Sequence, residues 1–311
     1  MNAGYLDINN IEALGKDYAI CVGTFDGVHM GHQELVKRAK SLGLKLAILL
    51  IFSIDNVMKK HAKDGLLMSI ADRTEVFTDL GASALIYIDL DEKMRSLSPQ
   101  AFVENVLMPL NVNTVIVGDD FRFGSEAKGN VETLKTLAAG QFNVEVVEPV
   151  LYSRKRRVST TRVKRLISQG RVNEASVLLT RPYKITGIIT RGFGLGSKIG
   201  YATANILLDY HYFIPKRGIY FVEVELQGKK YYGMCNIGIH PTINKLAKSI
   251  IEVHLFDFNR LVYDEVINIS FLNYLRPEEK FPNIESLVAQ IDQDKEHCLK
   301  LIEEIQQNNH N

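Results

Sequence analysis

The feature that most constrains the fold is a change in the order of predicted strands and helices near Arg181-Pro182. Before this point, short apolar runs alternate with helical patterns, which predicts βαβ units and a parallel sheet. After it, apolar runs follow one another and one amphipathic pattern closes the chain, which predicts an antiparallel barrel with a terminal helix. The runs lie at residues 18–22, 44–52, 84–88, 114–117 and 144–147, then at 183–190, 218–226, 230–235, 250–256 and 266–272, with the helix at 284–305.

This change of pattern predicts two domains, residues 1–180 of α/β class and residues 181–311 built on the barrel. A chain of 311 residues is long enough to bury two cores. Short sequence motifs support the fold class predicted for each half. Ser98 and Pro99 are suited to begin a helix over residues 98–107, and Gln227-Gly228 is suited to a tight hairpin turn.

Composition and charge exclude several classes of protein. The formal net charge is +1, so no overall attraction favours a nucleic-acid or membrane partner. Cys21, Cys235 and Cys298 form no C-x-x-C pattern, which is typical of a reducing compartment rather than a disulfide framework or zinc site. The N-terminus carries no signal-peptide pattern, and the longest apolar run, residues 46–52, is too short for a bilayer. We expect a cytoplasmic monomer or weak homo-oligomer.

Residues 18–32 combine a predicted strand, a turn containing Gly23 and Gly27, and two histidines. His29 and His32 are three residues apart, so at the start of a helix they share one face. A helix N-terminus offers N–H groups and the positive end of the helix dipole, which favour a phosphate. Two imidazole donors beside it suit an α-phosphate under in-line attack. No nucleophilic side chain is needed, because the second substrate supplies the attacking oxygen.

A bare H-x-x-H pattern is weak support for this interpretation, since such histidines are often surface residues or metal ligands. Gly31, the preceding strand and the Phe25-Asp26-Gly27 turn favour the phosphate interpretation. With these neighbours, the stretch resembles the H-x-G-H pattern of the nucleotidylyltransferase superfamily.

Residues 158–165 are a second candidate phosphate site. Ser159 and Thr160 precede a helical stripe that ends at Gly170. They are suited to plain N-capping or, after the basic run at residues 154–157, to a triphosphate cradle. The basic run could instead contact RNA, although four charges in a balanced chain are more often a solvated loop.

Residues 192–205 are a third candidate. Four glycines in residues 192–200 allow backbone N–H groups to approach a phosphate, although such a loop could also be a mobile barrel corner. Thr203 and Asn205 follow, and on an extended chain they lie on one side. Hydroxyl and amide oxygens suit Mg²⁺, which also binds substrate phosphates.

Glu252 lies in a predicted strand whose apolar residues Ile251 and Val253 face the opposite side. His254 shares the face of Glu252. The pattern alone is typical of an exposed strand glutamate, so Glu252 is singled out only by the resemblance given next.

Many further motifs occur in one order along nearly the whole chain. They are G-T-F-D-G-V-H-M-G-H (residues 23–32), L-S-P-Q-A-F (97–102), V-G-D-D-F-R-F-G (117–124), S-T-T (159–161), R-P-Y (181–183), G-F-G-L-G (192–196), G-Y-A-T-A-N (200–205), N-I-G (236–238), E-V-H (252–254) and Y-L-R-P (274–277). On these motifs the chain resembles the bacterial bifunctional riboflavin kinase/FMN adenylyltransferase family, also called FAD synthetase. Linked motifs in one order are more specific than any single motif.

The resemblance implies a Rossmann-like nucleotidyltransferase domain with a parallel sheet, followed by an antiparallel β-barrel kinase domain with a terminal helix. The barrel would phosphorylate riboflavin to FMN with ATP and Mg²⁺. The N-terminal domain would join FMN to AMP from a second ATP, giving FAD and pyrophosphate. The implied partners are therefore riboflavin, FMN and ATP.

The resemblance also implies roles for individual residues. His29 and His32 would be catalytic residues that bind the ATP phosphates in the adenylyltransferase. In the kinase, Glu252 would take the proton of the ribityl hydroxyl, and Thr203 and Asn205 would bind the metal. The residues implied in nucleotide binding are Gly23, Phe25, Gly31, Asp120, Ser159, Thr160, Lys164, Gly192, Gly194 and Gly196.

Three positions depart from the family pattern. Ala202 stands where the family usually has proline, just before Thr203, which loosens this backbone. Residues 52–58 lack the His-Pro pair that usually follows the second strand and helps to shape the flavin pocket. Lys164 stands where the family has arginine, and a lysine lacks the bidentate guanidinium fork.

The preferred hypothesis places both activities on one chain. The first alternative is an FMN adenylyltransferase with a weak or lost kinase, motivated by Ala202 and opposed by Thr203, Asn205 and Glu252. The second is a different mononucleotide acceptor, which the attached barrel disfavours. The third is a non-catalytic flavin- or RNA-sensing regulator, which the histidines and the metal-binding pattern oppose.

Overall fold

The computed structural model describes residues 2–5, 13–53, 65–153, 156–191, 200–239 and 249–310. The chain forms two compact units, Met1–Arg162 and Val163–Asn311. Residues 163–180 thus group with the second unit, although the change of sequence pattern lies at Arg181. The domain boundary at residues 180/181 stays a prediction.

The first unit contains a six-stranded parallel sheet with the order β1-β4-β3-β2-β5-β6. All five strand-like runs predicted in this half are strands. The edge strand β1 was not predicted. The strands are β1 (Asn2–Tyr5), β2 (Tyr18–Gly23), β3 (Lys45–Phe52), β4 (Ala84–Asp89), β5 (Thr114–Gly118) and β6 (Asn143–Val147).

Helices connect these strands, as the alternating pattern predicts. They are α1 (Met30–Ser41), α2 (Ile70–Asp79), α3 (Glu92–Ser96), α4 (Pro99–Phe102) and α5 (Val131–Ala138). Ser98 caps α4 by accepting the N–H of Ala101, and Pro99 lies in its first turn. After Phe102 the chain continues as a π-helical turn, Val103–Leu107, so the predicted helix over residues 98–107 is present but not regular throughout.

The core of the first unit lies on the central strands. Residues 19–22 of β2 and 46–50 of β3 are all buried, as expected of parallel strands covered on both faces. A short hairpin of β7 (Leu151–Tyr152) and β8 (Arg156–Arg157) follows the sheet. This burial fixes the carboxyl end of β2, from which the first candidate site begins.

The second unit contains a closed antiparallel barrel with the order β10-β13-β12-β11-β14-β9. Burial alternates residue by residue along β9, as the predicted period of two requires. Gln227 and Gly228 adopt positive φ angles of 52° and 72°, which makes the predicted tight hairpin turn. The strands are β9 (Tyr183–Thr190), β10 (Ala204–Leu207), β11 (Gly218–Leu226), β12 (Lys229–Ile239), β13 (Ser249–Leu255) and β14 (Val266–Arg276).

Three helices belong wholly or mostly to this unit: α6 (Thr160–Ser168), α7 (Val172–Leu179) and α8 (Ile284–His310). Helix α7 packs against β9 and β14. Helix α8 buries Cys298 against Phe221, Met234 and Phe256 of the barrel, and it extends beyond residue 305, where the predicted helix ends. Of the helices that the structure describes, none is both long and apolar enough to cross a bilayer.

Candidate active sites

The turn after β2 has an unusual backbone. Phe25 and Val28 adopt positive φ angles of 51° and 40°. Such angles are rare for bulky or β-branched residues and cost roughly 1–3 kcal/mol each. Both side chains are buried, with 2% and 0% exposure, so packing in the core holds the strained turn in place.

Three hydrogen bonds to residues elsewhere in the first unit fix the same turn. Asp26 Oδ1 accepts the N–H of Leu67 at 2.8 Å. The buried Arg73 donates from Nη1 to the carbonyl of Thr24 at 2.8 Å. Thr160 donates its hydroxyl to the carbonyl of Asp26 at 2.9 Å. The turn is therefore preorganised, which is what a site that must place phosphate-binding groups requires.

The two histidines of this turn meet at the start of α1. His29 is the N-cap residue, and its Nδ1 accepts the backbone N–H of His32 at 3.4 Å. The proton of the neutral His29 ring is therefore assigned to Nε2, which makes Nε2 a donor. The two rings stack with centroids 3.7 Å apart and planes 18° apart. His29 is only 5% exposed, so it is not the surface histidine that a bare H-x-x-H pattern allows.

Two glycines of the motif leave room for aromatic rings, Gly31 for that of His29 and Gly23 for that of Phe25. A Cβ atom at Gly31 would lie 3.2 Å from Cε1 and Nδ1 of His29, and one at Gly23 would lie 3.2 Å from the ring of Phe25. Both distances are shorter than ordinary carbon contacts of about 3.5–4.0 Å. The glycine within H-x-G-H thus serves the packing of His29, in addition to any role in backbone approach.

These residues line a cavity of about 720 Å³ in the first unit. Small-molecule sites typically measure about 300–1,000 Å³. The first turn of α1 contains no acidic residue that would oppose an anion there. The predicted site residues that the cavity brings together are Gly23, Phe25, His29, Gly31, His32, Asp120, Ser159 and Thr160.

An arginine that the sequence analysis did not assign joins two carboxylates at this cavity. Arg157 Nη2 lies 2.6 Å from Oδ1 of Asp119 and 2.9 Å from Oδ2 of Asp120. Arg157 Nη1 donates a second bond to Asp119 at 3.1 Å. The guanidinium thereby ties the hairpin β7–β8 to the loop after β5. Its only sequence signal was its place in the basic run at residues 154–157.

Ser159 and Lys164 lie in different environments. Ser159 Oγ accepts the N–H of Arg162 at 3.3 Å, so it makes the capping bond that its position predicts, and it also lines the cavity. Lys164 is not among the cavity-lining residues. Its Nζ lies 5.6 Å from the centre of the Phe213 ring.

In the second unit, the strand register places Glu252 between two asparagines. Glu252 of β13 pairs with Asn205 of β10 on one side and with Asn236 of β12 on the other. Directly opposed residues of antiparallel strands have Cβ atoms about 4.5–5.5 Å apart. Ile251 and Val253 are buried while Glu252 is half-buried, as the predicted alternation requires. Three polar residues therefore form a row across the barrel wall.

Glu252 and Thr203 line a pocket of about 310 Å³ in this unit. Arg276 and Asp294 also line it, and their side chains are 14% and 8% exposed. Arg276 Nε donates to both carboxylate oxygens of Asp294 at 3.0 Å, which ties β14 to α8. In a buried ion pair, the attraction between the charges offsets their desolvation free energy only when the geometry is this favourable.

Tyr201 and His254 form one wall of this pocket, with ring centroids 5.1 Å apart. The Tyr201 hydroxyl donates to Asp292, and burial, with help from that carboxylate, raises the pKa of Tyr201 to about 12. His254 Nδ1 lies 2.8 Å from the carbonyl oxygen of Ala202. Burial lowers the pKa of His254, which favours the neutral ring with the proton on Nδ1.

The residues near Glu252 suit magnesium. Thr203 lines the pocket with Glu252, and Asn205 is the direct strand partner of Glu252. A hydroxyl, an amide and a carboxylate are oxygen donors, which Mg²⁺ prefers. Within the described ranges, no three His, Cys, Asp or Glu side chains cluster in a way that could hold a metal ion. The donor set fits a metal that is bound together with substrate phosphates.

Some of the predicted positions lie outside the described residues. These are Gly192, Gly194 and Gly196 of the glycine-rich stretch, and residues 54–58 of the segment without the His-Pro pair. Ser53, just before that gap, is buried and accepts a hydrogen bond from Arg95 Nη2 at 3.0 Å.

Comparison with protein-family models finds two matches in succession. The FAD synthetase model matches residues 12–162, and the riboflavin kinase model matches residues 179–302. The first range contains the cavity with the stacked histidines, and the second contains the barrel with Glu252.

Curated relatives match over nearly their whole length. The bifunctional riboflavin kinase/FMN adenylyltransferase of Listeria monocytogenes is 34% identical over 94% of this chain and 92% of its own. That of Bacillus subtilis is 34% identical over 90% of this chain and 91% of its own. A solved structure described as a macrolide-efflux protein from Streptococcus pneumoniae is 29% identical, with a TM-score of 0.85 over 94% of this chain and 97% of that one.

The fold and the two sites define a two-module transferase class, with a nucleotidyltransferase sheet ahead of a flavokinase barrel. The relatives then identify the family. The chain belongs to the bifunctional riboflavin kinase/FMN adenylyltransferase family, which confirms the resemblance carried by the sequence motifs.

Proposed function

We propose that the chain makes FAD from riboflavin in two ATP-dependent reactions, one on each module. The observation that carries the proposal is that two family models match successive parts of the chain. Each matched part also has its own pocket, lined by the residues that the sequence motifs single out.

In the proposed adenylyltransferase, a phosphate oxygen of FMN attacks the α-phosphorus of ATP. The bond from that phosphorus to the β-phosphate oxygen breaks, and pyrophosphate leaves. His29 donates from Nε2, and His32 and the N–H groups at the start of α1 add further positive potential. Such donors, aimed at developing charge, are worth about 3–4 kcal/mol each in transition-state stabilisation. The attacking phosphate is already ionised, so this step needs no side-chain base.

In the proposed kinase, Glu252 accepts the proton of the terminal ribityl hydroxyl of riboflavin. The hydroxyl oxygen then bonds to the γ-phosphorus of ATP, and ADP leaves. A positioned general base typically contributes about 10²–10⁴-fold to the rate. The row of Asn205, Glu252 and Asn236 holds the base on a rigid strand, since all three residues lie in the closed barrel.

Magnesium is part of the proposal, with Thr203 and Asn205 as its protein ligands. When bound, it would neutralise phosphate charge on the nucleotide. A cytoplasmic location also belongs to the proposal, since Cys21, Cys235 and Cys298 are free thiols. The substrates are riboflavin, FMN and ATP.

The product assay tests the proposal directly. The purified protein is incubated with ATP and Mg²⁺ and with riboflavin or FMN, and the flavins are separated by chromatography. Both activities predict FMN and then FAD from riboflavin, and FAD from added FMN. FAD from FMN without any product from riboflavin would leave an adenylyltransferase alone, and no FAD from FMN would reject the assignment of the first module.

A further inference from the structure

The short segment before Thr203 is held from two sides. The carbonyl oxygen of Ala202 accepts a hydrogen bond from Nδ1 of His254 at 2.8 Å, across 52 residues of sequence. The neighbouring Tyr201 hydroxyl donates to Asp292 of α8. The partner groups, His254 and Asp292, both lie outside the segment, so the two bonds fix the backbone that presents Thr203.

The ring of His254 is itself confined. It packs edge-on against Tyr201, at 5.1 Å between centroids, and against Phe256, at 5.9 Å. His254 is on β13, two residues beyond Glu252 and on the same face. A ring held by two aromatic neighbours and a rigid strand can impose its position on the carbonyl that it binds.

The identity of residue 202 makes this hydrogen bond important. Ala202 immediately precedes Thr203 and lacks the proline ring that would restrict its φ angle. An alanine allows more backbone conformations than a proline, so ordering it loses more conformational entropy. Contacts in the folded protein must offset that loss. In the described part of the second unit, this carbonyl accepts a hydrogen bond from the imidazole of His254.

We propose that His254 is a positioning residue of the kinase site, which fixes the Ala202 carbonyl and thereby presents Thr203 to the metal–nucleotide substrate. The inference rests on the proposed function. It assigns His254 no contact with the transferred phosphate and no role as a base, which is the role proposed for Glu252.

The test uses substitutions that separate the donor from the ring. His254→Asn keeps an N–H donor at the δ position, whereas His254→Leu has similar size without a donor. His254→Phe also lacks the donor but retains an aromatic ring against Tyr201 and Phe256. The Phe variant serves if the Leu variant does not fold, and FAD formation from added FMN reports the integrity of the first module in every preparation.

Two measurements on the full chain do not depend on turnover. The first is hydrogen–deuterium exchange of the peptide covering residues 200–207 without ligands. The second is calorimetric binding of ADP with and without Mg²⁺. We expect faster exchange of this peptide in the Leu and Phe variants. In the same variants, the increase in ADP affinity on adding Mg²⁺ should be roughly 10-fold smaller than in the parent, which corresponds to the loss of about one hydrogen bond. The Asn variant should remain within about 3-fold of the parent.

A double variant tests whether the backbone at residue 202 can be restricted without the imidazole of His254. Ala202→Pro in the His254→Phe background should recover part of the lost protection and affinity, since proline restricts φ at residue 202 without needing the donor. Recovery supports a positioning role. Loss of ADP affinity in the double variant below that of His254→Phe alone would contradict it.

The outcomes distinguish this inference from the proposed function. A parent protein that forms no FMN from riboflavin would reject the kinase assignment, whatever the variants do. If the parent forms FMN and the Leu and Phe variants keep parental exchange and Mg²⁺-dependent binding, His254 only packs in the pocket wall. Equal losses in the Asn, Leu and Phe variants would show that the donor at the δ position is irrelevant, which also overturns the inference.

Discussion

Substituting Gly31 by alanine should separate catalysis from stability in the first module. Gly31 is the second residue of α1, where alanine is favoured over glycine by roughly 0.5–1 kcal/mol. Its new Cβ would, however, lie 3.2 Å from two atoms of the His29 ring. The ring is confined on another side by the stacked ring of His32 at 3.7 Å, so it must shift by a few tenths of an ångström.

The size of the loss follows from that shift. Misplacing a catalytic group by 1 Å costs about 10²-fold in rate, so a shift of a few tenths predicts a loss of roughly 3–10-fold. The assay is the rate of FAD formation from added FMN, with FMN formation from riboflavin measured on the same preparation. We expect the first rate to fall, the second to stay unchanged, and thermal stability to remain equal or rise.

The matched control is Lys37→Ala on the same helix, where the side chain is 71% exposed. It should leave both rates and stability nearly unchanged. A Gly31→Ala protein that makes FAD at the parental rate would refute the argument that this glycine exists to seat the His29 ring.

Three further predictions concern the second unit. Glu252→Gln should lower riboflavin phosphorylation by roughly 10²–10⁴-fold, because the amide cannot accept the proton, while FAD formation from added FMN is unchanged. Asp294→Ala should destabilise the barrel by roughly 3–5 kcal/mol in chemical denaturation, because it leaves the guanidinium of Arg276 buried without its partner. A fragment beginning at Arg181 should show a cooperative thermal transition, and one beginning at Val163 should be more stable, because helix α7 buries apolar side chains against β9 and β14.

Each of these predictions has a clear contrary result. Parental phosphorylation by Glu252→Gln would return Glu252 to an ordinary strand glutamate. If Asp294→Ala has the parental free energy of unfolding, the ion pair makes no net contribution to stability. A fragment from Arg181 that shows no cooperative transition, beside one from Val163 that does, would move the folding boundary ahead of α7.

The strand pattern predicted most of the fold because its signals are local. Alternation of apolar and polar residues is set within each strand, and the order of strands and helices determines whether neighbours run parallel or antiparallel. Four of the described strands were missed because they are short. β1 (Asn2–Tyr5) and β10 (Ala204–Leu207) have four residues each, and β7 (Leu151–Tyr152) and β8 (Arg156–Arg157) have two each, too few to show a period.

The candidate sites were predictable to the extent that their motifs are continuous. His29, Gly31 and His32 share one turn, so their spacing indicated a common face. Partners that are distant in sequence were not predictable in this way.

Arg157 reaches Asp119 across 38 residues and also contacts the neighbouring Asp120, and Arg276 reaches Asp294 across 18 residues. Neither the basic run nor the Y-L-R-P motif specifies which carboxylate these arginines meet. Such pairings depend on how the strands assemble, and only the folded structure fixes them.

The most direct test of the account is the flavin profile of a His29 variant given riboflavin, ATP and Mg²⁺. His29→Asn is the informative change, because asparagine retains a side-chain acceptor for the N-cap of α1 while removing the imidazole donor. If the two reactions occur at separate sites, FMN should accumulate at the parental rate and FAD should fall by roughly 10²-fold or more. Parental FAD formation, or loss of FMN formation in a folded variant, would contradict the assignment of adenylyl transfer to the histidine site and of phosphorylation to the barrel.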